Sequence, residues 1–451
     1  MAPRVIVDSI RRRAALARTA RGSLDRSHLA CGRRLMRIVF VANWWYRRGG
    51  LGAMMLDEAA ELERRGHEVL PFAAHHPNNV DTPWSRYFPE SFNTADLGAG
   101  MSLADKARAA ARLIHNGAAT ALFTRLLEEA RPDLIHLHNA VRQLSPAILQ
   151  PARRRGLPVV VTHHDYALIC PQGQLLKGDA RPCTPPNCTR GNPLPVLAYR
   201  CIGGRFFPSA VAAAEYAVHR SRQAYTAPER LLLAPSRFAE KMLLAAGVPE
   251  KRVCHLPNGI DPGHEPTAVP QLGGHILFAG RLVREKGLSI LLAAARLLPD
   301  VPIVVAGDGP LYRSLRSEAP ESVRFVGEQP PDDLRRLREA SVALVSPSIW
   351  YENAPMTVLE AMRDGRPAIV TAIGGQPELV EEGTGLIVPP GDARELANAI
   401  SAVWQDRALA ERLGQAARAR QVALYGLERH VNALEGIYRE AGELAAGGHS
   451  T

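Results

Sequence analysis

Short apolar runs alternate with stretches whose apolar residues recur at helical spacing, and the alternation starts afresh half-way along the chain. Runs that are apolar throughout suit strands buried on both faces, as parallel strands are when crossover helices cover their sheet. In the first half, Arg37–Asn43, Glu68–Ala73, Asp133–His138 and Pro158–Thr162 predict strands. Between the first two, Leu56, Ala59, Ala60 and Leu62 repeat at helical spacing, and Gly66 marks the helix stop. The second series is Leu231–Pro235, Val253–Leu256, His275–Ala279, Pro302–Ala306, Val323–Val326, Val342–Ser346, Pro367–Val370 and Gly385–Val388. The turn-rich segment from Pro257 to Gly263 offers a passage between domains. The pattern predicts an α/β chain of two Rossmann-like domains facing each other across a cleft. Residues 36–226 are assigned to the first, 227–415 to the second and 416–451 to C-terminal helices with a frayed end. Ligands of such sheets bind beyond the C-terminal strand ends, which places the site in the cleft.

A chain of 451 residues has room for two cores of this kind. No stretch approaches the roughly 18 uninterrupted apolar residues of a membrane span. The net charge of +10 suggests a nucleic-acid partner until it is located: residues 1–35 hold nine arginines against Asp8 and Asp25, which leaves about +3 for the rest. That arm reads as a disordered basic extension, or as sequence ahead of a start at Met36. It lacks the apolar core and cleavage site of a signal peptide, so a cytoplasmic protein is expected. A reducing compartment argues against a disulfide framework for its cysteines.

The densest local signal runs from Trp350 to Met362. Asn353 suits a helix N-cap and Pro355 the first turn, so Glu352 stands just before a helix start and Glu360 about two turns inside it. Free amides at such a start attract phosphate, and flanking carboxylates accept hydrogen bonds from sugar or ribose hydroxyls. A capped surface helix with two solvated glutamates is the competing reading. Arg281 and Lys286 follow a strand, where two cations would balance a diphosphate. Gly49 and Gly50 open the helix after the first strand and leave bare backbone for a phosphate. There is no Gly-x-Gly-x-x-Gly fingerprint, Walker loop or Asp-x-Asp pair, which disfavours dinucleotide, kinase and metal-bridged chemistry. His136 and His138 end one predicted strand, and His163, His164 and Asp165 follow the next.

Taken together, these motifs resemble the family-4 glycosyltransferases of the GT-B fold, from residue 36 to about 440. The resemblance is carried by the Gly-Gly turn, His136-Leu137-His138-Asn139, Pro257-Asn258-Gly259-Ile260-Asp261, Gly280-Arg281 with Lys286-Gly287, and Gly307-Asp308-Gly309-Pro310. Glu352 and Glu360, separated by seven residues and followed by Gly365-Arg366-Pro367 and Gly374-Gly375, are its most specific part. It implies a retaining hexosyltransferase-type enzyme that needs no metal and takes its sugar from a nucleotide-diphosphate donor. Arg281 and Lys286 would hold the diphosphate, Glu360 the ribose, and Glu352 with Asn353, Ala354, Pro355, Met356 and Thr357 the donor sugar and β-phosphate. Val326 and Gly327 would lie near the base. His138 would contact the sugar near its anomeric carbon, with His164 as second candidate and Asp165 beside it. Glycan or lipid-linked acceptors of surface polysaccharide or glycolipid synthesis are implied, with peripheral contact to the inner membrane surface and no nucleic acid. A nucleotide-sugar 2-epimerase of the same architecture and a non-catalytic nucleotide-sugar-binding protein are the alternatives. One departure is an insertion, 170–201, bearing Cys170, Cys183, Cys188 and Cys201 with 12, 4 and 12 residues between them. Reduced buried cysteines are expected there, and a structural zinc is the alternative, though tight Cys-x-x-Cys knuckles are missing.

Overall fold

The computed structural model describes residues 35–91, 102–139, 143–183, 188–224, 227, 230–263, 267–269 and 274–447. The basic arm with Cys31 and the tail from residue 448 lie outside the described residues. From Met36 onward the chain forms one compact unit. It contains two six-stranded sheets, each parallel throughout.

The first sheet comprises β1 (Arg37–Ala42), β2 (Glu68–Phe72), β3 (Leu134–Asn139), β4 (Val159–Thr162), β5 (Arg230–Ala234) and β6 (Val253–His255), in the order β2-β1-β3-β4-β5-β6. The second comprises β7 (His275–Ala279), β8 (Ile303–Ala306), β9 (Val323–Gly327), β10 (Ser341–Ser346), β11 (Ala368–Thr371) and β12 (Gly385–Val388), in the order β12-β11-β10-β7-β8-β9. All twelve apolar runs form strands, their ends displaced by a residue at most.

The domain boundary is where the sequence assignment fails. Residues 227–256 were placed with the second domain, but Val159–Thr162 pair in register with Arg230–Leu233, and Leu232–Ala234 with Val253–His255. Strands β5 and β6 therefore complete the first sheet, and the chain crosses at Pro257–Gly263, the turn-rich segment. An apolar run shows that a strand is buried, not which sheet buries it.

Six helices frame the site: α1 (Gly49–Arg64), α2 (Leu194–Ala198), α3 (Phe206–Ser221), α4 (Arg237–Ala245), α5 (Met356–Arg363) and α6 (Leu427–Gly447). The last returns to the first domain. Its Val431, Leu434, Tyr438 and Ala441 are buried in one cluster with Ile38, Phe40, Leu62, Val160 and Leu231. The chain thus crosses between domains twice, and the crossings are joined where the Ile260 amide donates to the Tyr425 carbonyl and the Leu427 amide to the Ile260 carbonyl, at 2.9 and 3.0 Å. Among the described residues, no helix is long and apolar enough to cross a membrane.

Candidate active site

Two helix starts meet in the cleft. α1 begins after Arg48 and α5 after Pro355, and neither has a side chain capping its first amides. Both starts keep donors available to an anion, with the positive dipole end behind them. Gly50 permits the approach: a Cβ there would lie 2.4 Å from the Met356 Cβ, so a larger residue would push the domains apart. Gly49 adopts φ +61°, a left-handed conformation that favours glycine.

The sequence expectation for Asn353 is corrected. Asn353 does not cap α5; Pro355 occupies that position, one residue before the first turn. The Asn353 amide donates to the His163 carbonyl, and its oxygen accepts from Ser236 Oγ at 2.9 Å, so the side chain ties the second domain to the first. A cap and an interdomain tie use the same amide, and sequence alone does not separate them.

Glu352 is 5 % exposed and is not among the residues lining the cavity. Its Oε1 accepts from Lys286 Nζ at 2.6 Å, Ser348 Oγ at 2.6 Å and Trp350 Nε1 at 2.9 Å. Burial works against its charge, but the Lys286 ammonium and these hydrogen bonds bring its pKa below the ordinary carboxylate value. Glu352 therefore holds Lys286 and Trp350 from behind, while Arg281 and Trp350 line the cavity. Glu360 receives a hydrogen bond from Arg338 Nη1 at 3.1 Å, and burial pushes its pKa up. Arg338 also reaches Asp364 at 2.6 Å; no sequence signal marked it. Val326 and Gly327 end β9, and the Gly327 carbonyl accepts from the Gly307 amide at 2.7 Å. Ala354 and Met356 receive Asn258 Nδ2 at 3.4 and 3.5 Å, on the carbonyl and the sulfur respectively. Thr357 lies in the first turn of α5.

The first-domain wall differs from the expectation in depth. His138 is buried and stands behind His164, with 3.2 Å between its Nδ1 and His164 Nε2. Their rings are nearly parallel, 17° apart with centroids 5.4 Å apart, and meet at these edges; His164 and Asp165 are the ones that reach the cavity. Behind His138 lies Glu58, 1 % exposed, which the sequence reading missed because nothing in a helical run marks a buried carboxylate. It contacts His136 at 3.3 Å, His138 at 3.5 Å and His430 at 2.8 Å. Burial opposes its charge, and His138, His136 and His430 outweigh burial, holding its carboxyl well below the usual range. Among the described residues, Glu58, His136 and His138 have ligand atoms close enough to share a metal ion. Both His136 nitrogens already meet a hydroxyl at 2.7 Å, Tyr438 on Nδ1 and Thr162 on Nε2, while Glu58 Oε1 and His138 Nε2 are buried without a hydrogen bond.

One cavity of about 670 Å³ joins these walls. Asn43, His164 and Asp165 border it from the first domain and Arg281 and Trp350 from the second; Gln172, Gln174 and Ile202 extend it past the cysteine insertion. Cys170, Cys183, Cys188 and Cys201 line one small pocket with Val196. Burial pushes the Cys188 and Cys201 thiols up to about 12 and about 11, which keeps them protonated.

Comparison with known proteins agrees with this architecture. Residues 48–264 match the model "Glycosyltransferase Family 4" and residues 265–420 the model "Glycosyl transferases group 1". The chain is 32 % identical over 177 residues to an alpha-D-kanosaminyltransferase of Streptomyces kanamyceticus, covering 37 % of this chain and 46 % of that protein. It is 26 % identical over 378 residues to a D-inositol 3-phosphate glycosyltransferase of Mycobacterium sp. (strain JLS), covering 79 % and 77 %. The first relatives are thus matched over about half their length. Among solved structures, sucrose-phosphate synthase from Thermosynechococcus elongatus superposes with a TM-score of 0.65 at 22 % identity, over 90 % of this chain and 98 % of the other. Anabaena Alr3699/HepE in complex with UDP and glucose gives 0.57 at 18 %, over 89 % and 99 %. Matched by family models along both halves and sharing the two-sheet architecture of these structures, the chain belongs to the family-4 glycosyltransferases of the GT-B fold.

Proposed function

We propose that this chain is a retaining glycosyltransferase of the hexosyltransferase type, moving a sugar from a nucleoside-diphosphate donor to a glycan or lipid-linked acceptor. The supporting observation is a cavity bordered by Arg281 and Trp350 on one side and His164 on the other, with Leu51 of the uncapped helix α1 in its wall and the uncapped start of α5 packed against Gly50. The diphosphate would take the amides of Gly49, Gly50, Met356 and Thr357, with Arg281 and Lys286 as counter-charges. Those cations would stabilise the charge that grows on the departing phosphate. Glu360 would accept from the ribose, near Val326 and Gly327. In the transfer, the bond from the anomeric carbon to the β-phosphate oxygen breaks and the acceptor oxygen bonds the same face. The acceptor's proton passes to the departing phosphate, so no metal is required. The thiols of Cys170, Cys188 and Cys201 would form a reduced apolar cluster, and zinc found in the purified protein would contradict that.

The segment just after the insertion supports an acceptor brought by a membrane from the cytoplasmic side. Ile202 and Gly203 line the cavity, while Phe206 and Phe207 on the same turn are 61 % and 47 % exposed, next to exposed Arg200 and Arg205. Aromatic rings flanked by arginines suit an anionic bilayer surface. Flotation with phosphatidylglycerol vesicles should capture the protein and lose most of it on Phe206→Ser/Phe207→Ser. Equal capture would remove this support.

Thermal melting with UDP-, GDP-, ADP- and dTDP-sugars tests the enzymatic reading. A bound donor at 100 times its dissociation constant adds about 2.7 kcal/mol. One nucleotide should stabilise the protein and release its sugar to an acceptor with retention; stabilisation without transfer would leave a binding protein.

A further inference from the structure

The contacts around Glu58 determine where hydrogens sit, and that pattern reaches the cavity. His430 lies between two acceptors: its Nδ1 is 2.8 Å from the Pro257 carbonyl and its Nε2 is 2.8 Å from Glu58 Oε2. A carbonyl offers no proton, so Nδ1 carries hydrogen, and one further proton is shared between Nε2 and the carboxylate. The other oxygen, Oε1, faces His136 Nδ1 at 3.3 Å and His138 Nε2 at 3.5 Å. Hydroxyls of Tyr438 and Thr162 hold the two nitrogens of His136. At 3.5 Å, Oε1 and His138 Nε2 are in electrostatic contact without forming a hydrogen bond; the negative oxygen favours hydrogen on His138 Nε2, which leaves His138 Nδ1 as a lone pair. That lone pair faces His164 Nε2 at 3.2 Å and takes its hydrogen. His164 is then left with an unprotonated Nδ1, on a ring that borders the cavity.

We propose that Glu58 is a positioning residue: through His138 it holds His164 in the tautomer whose Nδ1 accepts a hydrogen bond from a substrate hydroxyl. The proposal rests on the transferase reading for the identity of the hydroxyl, which belongs to the donor sugar or to the acceptor. Burial lowers the His164 pKa well below the ordinary imidazole value, which keeps the ring neutral and the lone pair available. A neutral acceptor at this point orients a hydroxyl without adding charge beside a diphosphate. The tautomer is set from inside the protein, as the buried carboxylate sets it for the histidine of a hydrolase triad.

Side-chain ¹H–¹⁵N correlation spectra of the full chain, labelled at histidine, test the proposal. His138 and His164 should both carry hydrogen on Nε2. Glu58→Met, which removes the acceptor, should mix the His164 tautomers and lower kcat/KM by about 10-fold or more. Glu58→Gln keeps a carbonyl oxygen for His138 and a donor for His430, and should restore the tautomer and most of the rate. Hydrogen on His164 Nδ1 in the wild type, or an unmixed tautomer in Glu58→Met, overturns the proposal. The wild-type spectrum needs neither substrate nor variant, so it can overturn the claim even where Glu58→Met does not fold or no donor is turned over. His164→Ala separates the two hydroxyl sources: a raised KM for the donor assigns the donor sugar, and a raised KM for the acceptor assigns the acceptor.

Discussion

Burial pushes His163 down to about 3 and His136 and His219 to about 4, so these rings are neutral in the folded chain. In the unfolded chain they would titrate near 6.5. As pH falls from about 6.5 to about 4, the unfolded state takes up protons that the folded state refuses, and stability drops. Each ring contributes about 1.4 kcal/mol per pH unit within that window. Melting curves at pH 7.5, 6.0 and 5.0 should show a steady fall, and a flat series would contradict it. The two glutamates should respond differently to truncation. Glu352→Ala leaves Lys286 without its partner and Ser348 and Trp350 without an acceptor, a loss on the order of 3 kcal/mol of stability. Glu360→Ala should leave the melting temperature nearer wild type and weaken nucleotide binding about 10-fold or more, as read by calorimetry.

At the scale of elements, α4 is capped from the other domain. The Arg237 and Phe238 amides donate to the two carboxylate oxygens of Glu378, each at 2.7 Å. Phe238 also stacks on Tyr351 at 5.2 Å. Glu378→Ala should cost about 1–2 kcal/mol of cap and loosen the approach of the two domains. Small-angle scattering should then show a larger radius of gyration than wild type. Strands were legible in the sequence because a buried parallel strand is apolar along its length, as in Val159–Thr162 or Ile303–Ala306. Sheet membership was not legible: β5 and β6 carry the same apolar pattern whichever sheet receives them. Arg281 and Lys286 stood out in the sequence because they follow a strand, but the Lys286–Glu352 pairing, which leaves Glu352 out of the cavity lining, was not legible. Nor were Glu58 and His430, since 372 residues separate them and neither has a marked neighbourhood.

For the whole molecule, α6 is part of the first domain although it lies beyond the second in sequence. Its Tyr438 donates to or accepts from His136 in the heart of the first sheet, and His430 holds Glu58. A chain stopped after Tyr425 loses Val431, Leu434 and Tyr438 from a buried cluster shared with β1, β4 and β5. Removing large apolar side chains from a core costs about 2–5 kcal/mol each. The first half of such a chain should be cut readily by trypsin, while the second half resists; equal resistance of both halves would refute the dependence. The same topology imposes an order on synthesis. Domains generally fold as they leave the ribosome, the N-terminal one first, yet the first-formed half here stays unfinished until Leu427–Gly447 has emerged. The middle of the chain can therefore reach its native state before the beginning does, and the early half spends that interval with the apolar surface that Leu427–Gly447 will cover still exposed.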